Sequence, residues 1–163
     1  MPIKSHLKVA DEVWIATAQL HKSQPTATDF PVDEIVTCAN KLEDSDHLRP
    51  GVYVHAIQHC VANRPPNPGR YRMLYETSEG RRRLYRKSDP FYPARAGSKI
   101  TPEPEDIPAE YQKLLLWYEE WSERSAKTQS AEDPLLRLSG SGKRIWADEP
   151  ADEYVERLRE GWQ

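Results

Sequence analysis

Apolar residues recur at helical spacing in four stretches of this chain. The stretches run from His6 to Lys22, from about Val32 to Leu42, from Arg49 to about Val61 or Ala62, and from Ala109 to about Ser125. In each one, apolar side chains stand three or four residues apart, which places them on one face of a helix. Pro50 suits the first turn of the third helix, and the proline-rich run from Asn63 to Gly69 must end it. The pattern therefore predicts four helices.

Between the third and fourth helices the pattern changes to that of extended strands. The segments Tyr71–Tyr75 and Arg82–Arg86 are strand-like, and the Gly-containing segment Glu76–Gly80 between them predicts a turn. A very short strand or extended entry is also expected at Phe30–Val32. The five prolines between residues 89 and 108 predict a long irregular crossing to the last helix. The expected fold class is α+β and mostly helical.

Three helices followed by a β-hairpin form the element order of a winged helix-turn-helix domain, expected here over residues 6–125. In that arrangement the third helix enters the major groove of double-stranded DNA and the hairpin, or wing, follows the phosphates. Amide, imidazole and guanidinium groups can read base edges or bind phosphate. The candidate DNA-binding residues are Arg49, His55, Gln58, His59 and Asn63 of the third helix, and Arg70, Arg72, Arg81, Arg82 and Arg83 of the wing.

The distribution of charge supports two kinds of binding segment. Residues 64–99 carry ten Lys/Arg against three Asp/Glu, whereas residues 100–163 carry eight against 15. A basic block beside an acidic one suggests a polyanion-binding element next to a segment for a different partner. The alternative is a protein-interaction domain whose wing arginines pair with its own acidic segments.

The end of the chain has the pattern of a recognition tail. Residues 126–133 are polar and predict a linker, and residues 134–163 form an extended tail ending in a short helix from Glu149 to Trp162. A Gly/Ser hinge at Ser139–Gly142 is followed directly by Lys143, Arg144 and Trp146. A segment this short cannot bury its own tryptophans, so it folds back on the domain or inserts into another protein.

The sequence gives little support to catalytic or metal chemistry. His55 and His59 stand four apart, as two zinc ligands on one helix would, but no convincing third ligand accompanies them. We therefore expect no metal, no cofactor and no enzymatic activity. No apolar run is long enough to span a membrane, and Cys38 and Cys60 accompany no secretory signal, so we expect a cytoplasmic protein.

Two runs of the tail carry a family resemblance, namely Leu138-Ser139-Gly140-Ser141-Gly142-Lys143-Arg144-Ile145-Trp146 and Asp152-Glu153-Tyr154-Val155-Glu156-Arg157-Leu158-Arg159-Glu160-Gly161-Trp162. With them the tail resembles the C-terminal segment of bacterial type II antitoxins. The antitoxins concerned neutralise PIN-domain ribonuclease toxins and repress their own operon. The resemblance covers residues 134–162 and implies a PIN-type ribonuclease as partner. It also implies a toxin-binding set of Lys143, Arg144, Trp146, Tyr154, Leu158 and Trp162.

Residues 6–125 resemble a different family, an uncharacterised bacterial winged helix-turn-helix family. The shared features are Val13-Trp14-Ile15-Ala16, Arg49-Pro50-Gly51-Val52-Tyr53, Gln58-His59-Cys60-Val61-Ala62-Asn63, Asn67-Pro68-Gly69-Arg70-Tyr71-Arg72 and Asp106-Ile107-Pro108. The antitoxins mostly carry ribbon-helix-helix or swapped-hairpin domains instead, so residues 6–125 depart from the usual antitoxin pattern. A DNA-binding regulator with a self-packed tail is the second interpretation, and an enzyme using His55 and His59 is a distant third.

Overall fold

The computed structural model describes residues 7–42 and 49–132, together with Arg159. Within this part of the chain the fold is α+β, with helices and a small antiparallel sheet. The helices are α1 (Val9–Ser23), α2 (Val32–Leu42), α3 (Pro50–Val54) and α4 (Gln112–Glu132), and the strands are β1 (Phe30–Pro31), β2 (Leu74–Ser78) and β3 (Arg81–Leu84).

Helix α1 forms the centre of the core. Its residues from Ala10 to Ala18 are buried on every side, including Trp14, which is fully enclosed. The Trp14 ring meets Tyr118 of α4 edge-on, with the ring centroids 5.7 Å apart. A helix enclosed in this way is held mainly by burial of its apolar surface, which contributes about 25 cal/mol per Å².

The element types predicted for the first 42 residues are confirmed. Helix α2 has the predicted bounds, and its Ile35 and Ala39 face the core. The short strand expected at Phe30–Val32 is β1, which pairs with β3 in antiparallel register through Phe30 and Arg82. The order in the sheet is β1-β3-β2.

The β-hairpin exists, but its strands are not where the sequence predicts them. The first strand begins at Leu74 rather than Tyr71, and it continues through Glu76 to Ser78, which were expected to form the turn. The turn is reduced to Glu79 and Gly80. Gly80 has a φ of 72°, a backbone conformation that is unfavourable for residues with a Cβ atom. The backbone N–H groups of Arg72 and Met73 donate instead to the carbonyls of Lys99 and Cys60, at 2.8 and 3.1 Å.

The third helix is shorter than predicted and ends in a different geometry. The α-helical part stops at Val54, and residues His55–His59 continue as a wider π-helical turn. Cys60 then leaves the helix, and Val61 forms a parallel bridge with Leu74. The prediction of a regular helix to Val61 or Ala62 is therefore wrong beyond Val54.

Helix α4 begins three residues later than predicted and extends to Glu132. Residues 126–132, which were predicted to be a linker, are helical. The chain divides into two compact units, Met1–Glu123 and Arg124–Gln163. Among the described residues, no helix is long and apolar enough to cross a membrane.

Candidate nucleic-acid interface

The π-helical turn at His55–His59 is held in place by the buried guanidinium of Arg95. Arg95 is completely buried, and its nitrogens donate to the carbonyls of His59, Arg64 and Tyr71 at 2.6–2.7 Å. Two further bonds reach the carbonyls of Gln58 and Pro65, at 2.7 and 3.2 Å. A π turn leaves carbonyls without helical partners, and the planar fork of an arginine can satisfy several at once. Arg95 thus fixes the loop that follows α3.

His55 and His59 do come together, as their spacing predicts. Their ring centroids lie 4.9 Å apart in an edge-on arrangement, with the Tyr71 ring 6.1 Å from His55. Nδ1 of His55 lies 2.7 Å from the Gly51 carbonyl. Burial lowers the pKa of His55, which favours the neutral ring over the cation that would attract phosphate. In the part of the chain that the structure describes, no three His, Cys, Asp or Glu residues are grouped for a metal ion.

The two amide side chains predicted to read base edges are bonded to the backbone of their own domain. Gln58 donates to the Pro65 carbonyl at 2.5 Å. Asn63 bonds twice to Glu76, donating to its carbonyl at 3.0 Å and accepting from its N–H at 2.9 Å. Both amides help to shape the loop after α3, and adenine recognition would require each of them to give up these bonds.

Two of the three consecutive wing arginines are buried. Arg82 lies 3.3 Å from a Glu76 carboxylate oxygen, and its side chain is 1% exposed. Arg83 forms a two-pronged ion pair with Asp89 and stacks over the Tyr75 ring, with Cζ 4.5 Å from the centroid. Arg81 is 43% exposed and pairs with Asp29 at 2.6 Å. The expectation that all three lie along DNA phosphates is not supported, because the fold itself neutralises them.

Most of the basic block spanning residues 64–99 is neutralised in the same way. Six of its ten cations face a carboxylate, namely Arg64, Arg81, Arg82, Arg83, Lys87 and Lys99. Arg95 is occupied by carbonyls, and Arg86 lies over the Trp121 ring at 5.1 Å. The other two cations are Arg70, which is exposed, and Arg72, which is stacked on aromatic rings. The net charge of the block therefore overstates the positive surface it presents.

Arg72 lies between two aromatic rings. Its Cζ is 4.4 Å from the Phe91 centroid and 5.7 Å from that of Tyr85, and its Nε donates to the Ser98 carbonyl. Arg70, two residues earlier, is exposed. Neither Phe91, Tyr92 nor Arg95 was predicted as a functional residue. An aromatic pair flanked by Pro90 and Pro93 was the available signal, because such a pair cannot be part of a buried regular strand.

The exposed face of α3 is apolar rather than cationic. Tyr53 and Val54 are 49% and 39% exposed. Arg49, at the start of the helix, forms an ion pair with the buried Glu12 of α1. A helix that enters a DNA groove ordinarily presents polar or basic side chains. The α3 surface fits an apolar protein contact better.

The predicted toxin-binding residues Lys143, Arg144, Trp146, Tyr154, Leu158 and Trp162 lie outside the described residues. No family model, curated protein or solved structure matches this chain.

Proposed function

We propose that this chain is a non-enzymatic antitoxin whose C-terminal tail binds and inhibits a PIN-type ribonuclease. The observation that carries the proposal is the tail sequence Gly142-Lys143-Arg144-Ile145-Trp146, with its antitoxin resemblance. PIN nucleases gather carboxylates around divalent metals, so Lys143 or Arg144 next to the Gly/Ser segment can fill that acidic site. Trp146 serves as the aromatic anchor beside it, and the face of Tyr154, Leu158 and Trp162 binds a groove.

The separation of the chain into two units supports different roles for the N-terminal unit and for the tail. The tail residues belong to the unit Arg124–Gln163, whereas the core of α1, α2 and the sheet belongs to Met1–Glu123. The first unit closes its own core, which includes Trp14, Ile35 and Leu84. We infer from this division that the tail serves a partner.

We further propose that the first unit is a winged helix. Three helices, a short strand between the first two, and a hairpin give the sheet order β1-β3-β2, which supports this assignment. Binding of operator DNA by this unit is the second candidate function. It is favoured by the exposed Arg70, but it is weakened by the neutralised wing and by the apolar surface of α3. The toxin-binding proposal therefore ranks first.

The decisive experiment compares the full chain with a version ending at residue 132. Each is co-expressed with the product of the neighbouring gene, and metal-dependent RNA cleavage by that product is measured in the purified mixture. The full chain should inhibit cleavage and the shortened chain should not. Trp146→Ala should weaken the complex by about 2–4 kcal/mol, as expected for an aromatic hot spot. The Leu116→Ala variant, which alters an exposed apolar residue of α4, is the control.

A measurement on the isolated chain separates this proposal from the alternative of a DNA-binding regulator with a self-packed tail. If the tail serves a partner, truncation and Trp146→Ala should leave the melting temperature of the free protein nearly unchanged. A large fall in melting temperature without loss of inhibition would assign the tail to the protein's own domain and end the antitoxin proposal.

A further inference from the structure

Phe91 and Tyr92 are exposed aromatic side chains on a backbone that is fixed from both sides. Their exposed fractions are 37% and 42%. The Tyr92 N–H donates to the Ala62 carbonyl at 2.8 Å, and its own carbonyl accepts from the Arg95 N–H at 2.8 Å. Arg95 is in turn bonded to five carbonyls of the loop after α3. The two rings are thus presented to solvent by a well-braced segment.

Four cations of the basic block pair with no carboxylate in the described chain, and two of these, Arg70 and Arg72, lie two residues apart in sequence. Arg72 lies over the Phe91 ring at 4.4 Å, and Arg70 is exposed two residues earlier. The other eight cations of residues 64–99 are paired with carboxylates, bonded to carbonyls or stacked on Trp121. Positive charge therefore adjoins exposed aromatic area at Arg72, Phe91 and Tyr92, and we group with them Arg70, which is exposed two residues before Arg72. We call these four residues the arginine–aromatic surface.

We propose that the arginine–aromatic surface binds single-stranded nucleic acid. The phosphates would be bound by the arginines, and one or two bases would stack on Phe91 and Tyr92. Proteins that bind single strands without sequence preference combine these two elements, because every base has a flat face and every nucleotide a phosphate. The braced backbone reduces the entropy lost on binding.

The chemistry of the surface favours single strands over two other polyanions. In a duplex the base faces are stacked on one another, so two exposed rings gain little from it except at its ends. An acidic peptide supplies carboxylates for the arginines but no series of flat rings for Phe91 and Tyr92. The proposal uses residues of the unit Met1–Glu123 alone, so it stands or falls independently of the tail and its ribonuclease.

The test measures binding of the full chain to fluorescein-labelled oligonucleotides of about 12 nucleotides, within the range one small domain covers. Oligo-dT and oligo-U are titrated at several salt concentrations and followed by fluorescence anisotropy. Replacing both Phe91 and Tyr92 by Ala should weaken binding by at least about tenfold, as loss of base stacking does. Tyr53→Ala, which removes an aromatic ring of similar exposure from α3, should leave the affinity unchanged.

Variants of matched charge test the phosphate contact. Arg70→Ala should reduce the slope of log affinity against log salt by about 0.7, the value expected for one phosphate contact on a single strand. Lys41→Ala removes the same charge from the exposed face of α2 and should leave the slope unchanged. Phe91→Leu keeps an apolar side chain next to Arg72 but removes the aromatic ring on which a base would stack. This variant should therefore bind the oligonucleotides weakly, while its melting temperature equals that of the wild type.

Three outcomes would overturn the proposal. One is that neither oligonucleotide binds the folded full chain at low salt. Another is an equal loss of affinity in the aromatic variants and in Tyr53→Ala. The last is that polyglutamate or a duplex of the same length competes as well as an unlabelled single strand, which would assign the surface to an acidic peptide or to duplex DNA.

Discussion

Arg83 and Asp89 form a buried ion pair at the point where the chain leaves the hairpin. The guanidinium nitrogens lie 2.5 and 2.8 Å from the two carboxylate oxygens, and the side chains are 8% and 6% exposed. Asp89 also accepts the Arg86 N–H at 2.8 Å, which closes the turn after β3. Because the two charges are removed from water together, each depends on the other for its stability in the fold.

Removing one member of this pair should be costly. Asp89→Asn leaves the Arg83 charge buried without its counter-ion, and we expect the free energy of unfolding to fall by about 3–5 kcal/mol. The control is Asp29→Asn, whose partner Arg81 is 43% exposed, and it should cost less than about 1 kcal/mol. Urea unfolding followed by tryptophan fluorescence measures both. Similar losses in the two variants would mean that burial does not distinguish these pairs.

Arg95→Lys should destabilise the domain although it conserves the charge. An ammonium group has three donors at one point, whereas the Arg95 guanidinium reaches five carbonyls spread from Gln58 to Tyr71. Leaving two or more buried carbonyls without a donor should cost about 2–4 kcal/mol. Arg70→Lys, at an exposed position, provides the comparison and should be neutral in thermal unfolding. A neutral Arg95→Lys would show that water replaces the missing donors.

His21 should make the protein less stable in mild acid. It is buried between Phe30 and Trp121, where it accepts the Leu84 N–H through Nε2. Burial, with the nearby charges of Arg86 and Arg83, lowers the pKa of His21 from 6.5 to about 4. The neutral ring therefore contributes stability that is complete above pH 6.5, is reduced by about 2 kcal/mol at pH 5, and is lost by about pH 4.

The His21→Gln variant isolates this effect. Glutamine can accept the same N–H bond, but it does not titrate. The free energy of unfolding is measured for both proteins at pH 7.5 and at pH 5. Its decrease between these two pH values should be about 2 kcal/mol smaller in the variant than in the wild type. If the two proteins lose the same stability over this range, His21 is not the titrating group.

Two glycines of the same region should respond in opposite ways to alanine. A Cβ on Gly69 would lie 2.7 Å from the His59 Cβ, so Gly69→Ala should lower the free energy of unfolding by about 1–3 kcal/mol. A Cβ on Gly51 would meet Val9 at an ordinary 3.6 Å, and Gly51→Ala within α3 should stabilise by up to about 1 kcal/mol. Differential scanning calorimetry of the two variants checks the pair. A stabilised Gly69→Ala would contradict the close packing at His59.

The parts of the fold that depend on local pattern could be predicted, and those that depend on distant partners could not. Helix α2 has the predicted bounds because its apolar spacing and its Asp33 near the first turn are local features. The end of α3 was mispredicted because the π turn at His55–His59 depends on Arg95, more than thirty residues away. The first hairpin strand was placed three residues early because Arg72 bonds to Lys99 rather than to the hairpin.

The same distinction between local pattern and distant partners explains why the burial of the candidate DNA-binding arginines could not be predicted. A run such as Arg81-Arg82-Arg83 ordinarily indicates a solvated basic surface, since buried arginines are rare. The carboxylates that neutralise this run, on Asp29, Glu76 and Asp89, become visible as partners only in three dimensions. Of the wing candidates, Arg70 is exposed and the Arg81 side chain is 43% exposed, but Arg81 pairs with Asp29. The spacing of His55 and His59 did predict that their rings would meet.

The contact between Asn63 and Glu76 has a consequence for how this protein behaves at high concentration. Strand β2 is at the edge of the sheet, where unpaired backbone groups would invite strands from other molecules. The Asn63 amide occupies both backbone groups of Glu76, and Cys60 and Ala62 occupy those of Leu74. A strand from another molecule therefore cannot bond to these backbone N–H and carbonyl groups. A side chain that imitates a peptide bond thus protects the sheet against intermolecular aggregation.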